Sequence, residues 1–131
     1  MTPARPAPPA VVRKAHRSSE TATVRAIVDY LRLKGYLAWR LNSRVVMLPG
    51  KGGRPAPYRM GGVKGMADIV GIKTMMYSVS GDLLGRFFAI EVKSATGKPT
   101  PEQTAFLQAV VKAGGLAFVA RSIADVQAHG L

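Results

Sequence analysis

The chain contains no cysteine, two histidines and seven acidic residues in a length of 131. Each shortage excludes something. Without Cys there is neither a disulfide framework nor a thiolate metal site. His16 and His129 lie near opposite ends, which removes the material for a Ser-His-Asp relay or a His-rich zinc centre. No apolar run approaches the ~20 residues that a membrane-spanning helix requires. Met1 to Arg17 lacks the apolar stretch of a secretory leader. The expectation is a soluble protein of the reducing cytoplasm with no membrane partner. Gly50-Lys51-Gly52-Gly53 has neither the spacing nor the Ser or Thr of a phosphate-binding P-loop, so no nucleotide cofactor is expected.

Positive charge is abundant. Nineteen Lys and Arg leave a formal net charge of +12. Between Asp29 and Asp68 there is no acid, whereas Arg32, Lys34, Arg40, Arg44, Lys51, Arg54, Arg59 and Lys64 all fall there. A surface of this kind displaces counterions from a polyanion and binds nucleic acid with little sequence preference and a steep salt dependence. Arg40, Arg44, Lys51, Arg54, Arg59 and Lys64 are the candidate DNA contacts. Solubility alone, or an acidic lipid surface, would also account for the charge.

The length suits one domain. Residues 1–17, rich in Pro and Ala with scattered Arg, read as a flexible basic arm ahead of a domain over 18–131. From an N-cap at Ser18 or Ser19, the spacing of Val24, Ile27, Val28 and Leu31 predicts a helix that stops at Gly35. Tyr36 to Asn42 reads as a strand, with a continuation into Val45-Val46-Met47 left open. The Gly- and Pro-rich basic stretch at about 48–64 reads as a mobile loop able to cover or guide a nucleic-acid strand. Asp68 to Ile72 and Arg86 to Lys93 form a hairpin with a generous connection. Thr100 caps a helix that begins at Pro101 and ends at Gly114-Gly115; Leu116 to Ala120 is a strand, and Ser122 caps a last helix to about His129. The order is helix, three strands, helix, strand, helix. This is an α/β protein whose mixed central sheet, flanked by helices, has its last strand parallel through a crossover.

In Phe87-Phe88-Ala89-Ile90-Glu91-Val92-Lys93 the strand period of two puts Glu91 and Lys93 on one face and Phe88, Ile90 and Val92 on the other. Asp68 shares a face with Val70 and Ile72, and a suitable hairpin register sets it beside Glu91. Two carboxylates so placed repel unless a cation lies between them, and oxygen ligands suit Mg2+ or Mn2+. An isolated E-x-K is more often an ordinary ion pair. Here, however, the acids sit in apolar strands, where unpaired charge is costly. Gln103, three and four positions before Phe106 and Leu107, lies by the inward stripe of its helix, as a packing or capping residue or as part of a site. Glu20 falls on the stripe of the first helix; an acid in a first turn is equally favoured by the helix dipole.

Glu20 with Val24, Ile27, Tyr30-Leu31 and Gly35-Tyr36, then Arg40-Leu-Asn-Ser43, Gly65-Met-Ala-Asp-Ile-Val-Gly71, Phe88-Ala-Ile-Glu-Val-Lys93, Thr100-Pro-Glu-Gln103 and Gly114-Gly-Leu-Ala-Phe-Val-Ala-Arg-Ser122 together resemble a stand-alone VRR-NUC domain of the PD-(D/E)XK nucleases, over residues from about 20 to 128. The resemblance implies a restriction-endonuclease-like αβββαβ core and metal-dependent phosphodiester hydrolysis. It implies Asp68, Glu91 and the Val92 backbone carbonyl as ligands of Mg2+ or Mn2+, with Glu20 acting on the metal through water. Lys93 would orient the attacking water, and Gln103 would support the site. Stand-alone members are similar to structure-specific endonucleases that act as homodimers on four-way (Holliday) junctions; fused forms act on flaps and related branched DNA. Two features depart from the family pattern: the long Gly- and Pro-rich insertion between Ser43 and Gly65, and Arg44 in place of a small residue. The rival reading is a non-catalytic basic nucleic-acid-binding module, with the acids merely structural.

Overall fold

A computed structural model describes residues 10–41, 45–59, 63–75 and 79–131. In chain order the elements are α1 (Ala10–Leu33), β1 (Leu37–Arg40), β2 (Val45–Pro49), a 3-10 turn (Lys51–Gly53), β3 (Pro55–Arg59), β4 (Ile69–Met75), β5 (Leu84–Val92), α2 (Pro101–Lys112), β6 (Leu116–Ala120) and α3 (Ile123–Ala128). Four strands form the central sheet in the order β1-β4-β5-β6, while β2 and β3 form a separate two-stranded ribbon. β1 and β5 both run antiparallel to β4, and β6 runs parallel to β5 after the α2 crossover. The molecule is thus mixed α/β, with a mixed central sheet flanked by helices.

Alternation along β5 divides the core. Phe88, Ile90 and Val92 point to one face, where they pack with Val24, Ile27, Val28 and Leu31 of α1 and with Val126 of α3. The i, i+3, i+4, i+7 spacing of the α1 residues makes that stripe continuous. On the opposite face Ala67, Val70 and Ala89 meet Leu107 and Val110 of α2. Small residues there let α2 lie close to the sheet. Gly71 is required by packing: a Cβ at this position of β4 would collide with the Leu37 carbonyl oxygen and the Phe88 ring. Gly65 is required twice, by its φ of +83° and because a Cβ would stand 2.6 Å from the Glu102 carbonyl oxygen at the start of α2.

α2 begins as the sequence predicts. Thr100 accepts from the Gln103 backbone N–H, and the Gln103 side chain accepts from the Thr100 N–H at 2.8 Å, closing a capping box. Ser122 caps α3 by accepting from the Asp125 N–H.

Three expectations differ from the structure. α1 starts at Ala10, upstream of Ser18, so residues 10–17 of the expected arm are helical. Ala10 to Arg17 contains no Pro or Gly, and the prolines end at Pro9, which leaves nothing to break the helix there. Residues 1–9 lie outside the described residues. Secondly, Val45 to Met47 do not continue β1 but start the separate strand β2. Thirdly, much of the stretch at 48–64 is not a loop: Val45–Pro49 pairs with Pro55–Arg59. The prolines are compatible with that ladder because Pro55 and Pro57 occupy alternate positions. A two-stranded ladder draws an N–H only from every second residue of each strand.

Candidate active site

The hairpin register decides which acids meet. Ile69 pairs with Ile90, so Asp68, one step beyond the ladder, lies against Glu91. Asp68 is held from two sides: its carbonyl oxygen accepts from the Leu41 N–H at 2.8 Å, and its Oδ2 accepts from the Val92 N–H at 2.8 Å. The ends of β1, β4 and β5 therefore converge on this one residue.

Glu91 is 1 % exposed and is the one charged residue buried to that degree among the described residues. Its Oε1 accepts from Gln103 Nε2 at 2.7 Å and from Lys93 Nζ at 3.0 Å. Its Oε2 is buried and has no hydrogen-bond donor against it. Burial pushes the Glu91 carboxyl up to about 7, and the nearby Asp68 charge adds to the effect against the opposing pull of Lys93. Burial also raises the Asp68 carboxyl, although the Val92 N–H and Lys93 counteract it. Both carboxyls are thus raised by burial, and the Asp68 charge raises Glu91 further.

Gln103 is at once a capping residue and a partner of the buried acid. Its Oε1 closes the capping box on Thr100 while its Nε2 holds Glu91, so the start of α2 is coupled to the buried acid through one amide. Glu20 does project inward from α1: its Oε1 accepts from the Ser94 N–H at 3.0 Å, just beyond β5. A cavity of about 170 Å³ beside Asp68 is lined by Glu20, Thr21, Val24 and Arg40. A larger groove of about 350 Å³ lies between α2 and β6, against Leu107, Val111 and Ala117, and holds none of these acids.

The structure thus brings together Asp68, Glu91, Lys93 and Gln103, with Glu20 across the neighbouring cavity. Among the described residues no three His, Cys, Asp or Glu side chains are grouped closely enough to hold a metal ion by themselves. Two carboxylates with one oxygen left unpartnered nevertheless fit a hard cation completed by backbone oxygen or water.

The basic residues are more dispersed. Arg40 borders the cavity by Asp68, whereas Lys51 and Arg54 lie around the turn between β2 and β3. Arg59 ends β3, and Arg44 lies outside the described residues. Lys64 pairs with Glu102 at 2.9 Å and remains largely exposed. That pairing holds the Glu102 carboxyl below its usual range.

Sequence reasoning did not assign a role to Arg121. Its guanidinium donates to the carbonyl oxygens of Ser94 and Gly97, fastening the segment that follows Lys93 and carries the N–H bonded to Glu20. Only its position at the end of an apolar strand distinguished it from the other exposed arginines.

No protein-family model, no curated protein and no solved structure matches the chain.

Proposed function

We propose that this protein is a metal-dependent endodeoxyribonuclease of the VRR-NUC branch of the PD-(D/E)XK nucleases, built on a restriction-endonuclease-like core and acting on branched DNA. The carrying observation is the register that sets Asp68 against Glu91, with Lys93 on the same strand and one buried Glu91 oxygen unpartnered. Asp68, Glu91 and the Val92 carbonyl would hold Mg2+ or Mn2+, with Glu20 reaching it through water. When bound, the ion supplies Lewis-acid stabilisation to the phosphoryl group.

Each protein group has a distinct task. Lys93, which bonds Glu91 from the same strand, would orient the attacking water and donate to the charge that develops on the phosphate. Gln103 keeps Glu91 in one rotamer, and the Val92 N–H does the same for Asp68. Arg40 and the basic stretch around it engage the backbone without reading bases. A four-way junction is the preferred substrate and a homodimer the working form, because a two-fold pair of sites matches a two-fold substrate.

The test incubates labelled four-way junction, flap and linear duplex with Mg2+, Mn2+ or EDTA, using wild type, Asp68→Ala and Lys93→Ala. Wild type should cut in either metal and fall silent in EDTA, with both variants slower by about 100-fold or more. Equal cleavage by wild type and variants would overturn the site. Binding with no metal-dependent cleavage by wild type would leave a non-catalytic DNA-binding module.

A further inference from the structure

The β2–β3 ribbon is an anomaly in the packing. Its strands pair with each other, and among the described residues no helix or strand of the core packs substantially against them. An isolated two-stranded hairpin is marginal in water, yet this one exposes Val46, Met47, Leu48 and Tyr58, with Met47 60 % and Tyr58 57 % accessible. The register places Val46 opposite Tyr58 and Leu48 opposite Ala56 on one face, and Met47 opposite Pro57 on the other. Its turn is tightly built: Gly52 and Gly53 both have φ of +74°, and a Cβ on Gly50 would stand 2.7 Å from the Arg54 carbonyl oxygen. Lys51 and Arg54 flank that turn, and no acid occurs between Asp29 and Asp68.

We propose that this ribbon is a DNA-gripping arm that enters the major groove of a duplex, with Lys51 and Arg54 on phosphates and the Val46, Leu48 and Tyr58 face against the groove wall. The inference rests on the nucleic-acid part of the reading above and not on hydrolysis. Three observations select this occupant. A two-stranded ribbon suits the ~12 Å width of the major groove, and the tip charge suits phosphate. Pro55 and Pro57 remove N–H groups from the outer edge of β3, which blocks that edge as a template for strand addition by another protein chain. The insertion is also tied to the candidate site at its base: the chain leaves β1 at Leu41 and returns at Asp68, and the Leu41 N–H bonds the Asp68 carbonyl oxygen. A duplex gripped by the ribbon is therefore joined by short connections to the residues that would act on it.

The experiment measures binding in EDTA, so that it is independent of cleavage and survives failure of the nuclease reading. Fluorescence anisotropy follows a labelled duplex longer than one helical turn across a salt series, with wild type, Lys51→Ala/Arg54→Ala and Leu48→Asp. The double variant should bind about tenfold more weakly, with a slope of log K against log salt shallower by about 2. Leu48→Asp should also bind more weakly, and the thermal midpoint of both should match wild type because the ribbon lies off the core. Methyl green, which occupies the major groove, should compete with wild type, and netropsin, which occupies the minor groove, should not. Unchanged affinity and slope in the double variant would overturn the proposal, as would competition by netropsin alone. Two further results would also overturn it: self-association that Met47→Asp abolishes while DNA affinity holds, or ribbon-dependent binding to phosphatidylglycerol vesicles with none to DNA.

Discussion

At the residue scale the central fact is a glutamate at 1 % exposure with one oxygen unsatisfied. Such a group is a cost to the fold in the absence of a cation. The Glu91 carboxyl rises from 4.5 to about 7 on folding. The folded protein therefore holds a proton that the unfolded chain has released between those values. Its stabilising effect is complete below about 4.5 and is lost as pH rises through about 7. In EDTA, Glu91→Gln should flatten that decline and raise the thermal midpoint at pH 8 by several degrees, and in Mg2+ it should abolish cleavage; a lower midpoint than wild type at pH 8 in EDTA would contradict this. Gln103→Ala removes both the capping box and the donor to Glu91. It should raise the metal concentration needed for half-maximal activity about 10- to 100-fold, the usual cost of losing a group that positions a ligand. A metal titration of that variant checks it. That Glu91 and Lys93 share a face was legible from strand alternation alone. The dual role of Gln103 was not, because which neighbour an amide reaches depends on how α2 lies on the sheet.

At the element scale, the boundaries of α2, β6 and α3 read well, whereas the cap expected at Ser18 or Ser19 lies inside α1 and the boundaries within the insertion were missed. Thr100, Pro101 and Gly114 delimit α2, and Leu116–Ala120 was readable as an apolar run. The ribbon was hidden by its prolines, which read as breakers until their alternate positions in a register are known. Gly71 makes a sharper test of packing. Gly71→Ala should destabilise the protein by about 1–3 kcal/mol, since the Leu37 carbonyl is backbone and the Phe88 ring is wedged in the core. Chemical denaturation would measure it, and a loss below about 0.5 kcal/mol would mean that β1 moves aside. No helix among the described residues is long and apolar enough to cross a membrane.

At the scale of the whole molecule, the proposed metal would act on the charge balance of the fold. Because the paired acids repel, Mg2+ or Mn2+ should raise the thermal midpoint of wild type at pH 8, increasing with the logarithm of metal concentration above its Kd. It should do so far less in Asp68→Ala; scanning fluorimetry with and without EDTA decides between these outcomes. Composition by itself determined the net charge of +12 and the absence of thiol chemistry, because both are sums over residues. The local spacing of apolar positions and caps likewise determined most of the helices and strands, since these depend on near neighbours. Only the tertiary structure set Asp68 beside Glu91, hung Glu20 from the Ser94 amide and detached β2–β3 from the central sheet. Each of these depends on a register or a packing angle between segments distant in sequence. A slip of one residue along β4 would turn Asp68 to the opposite face, with the composition unchanged.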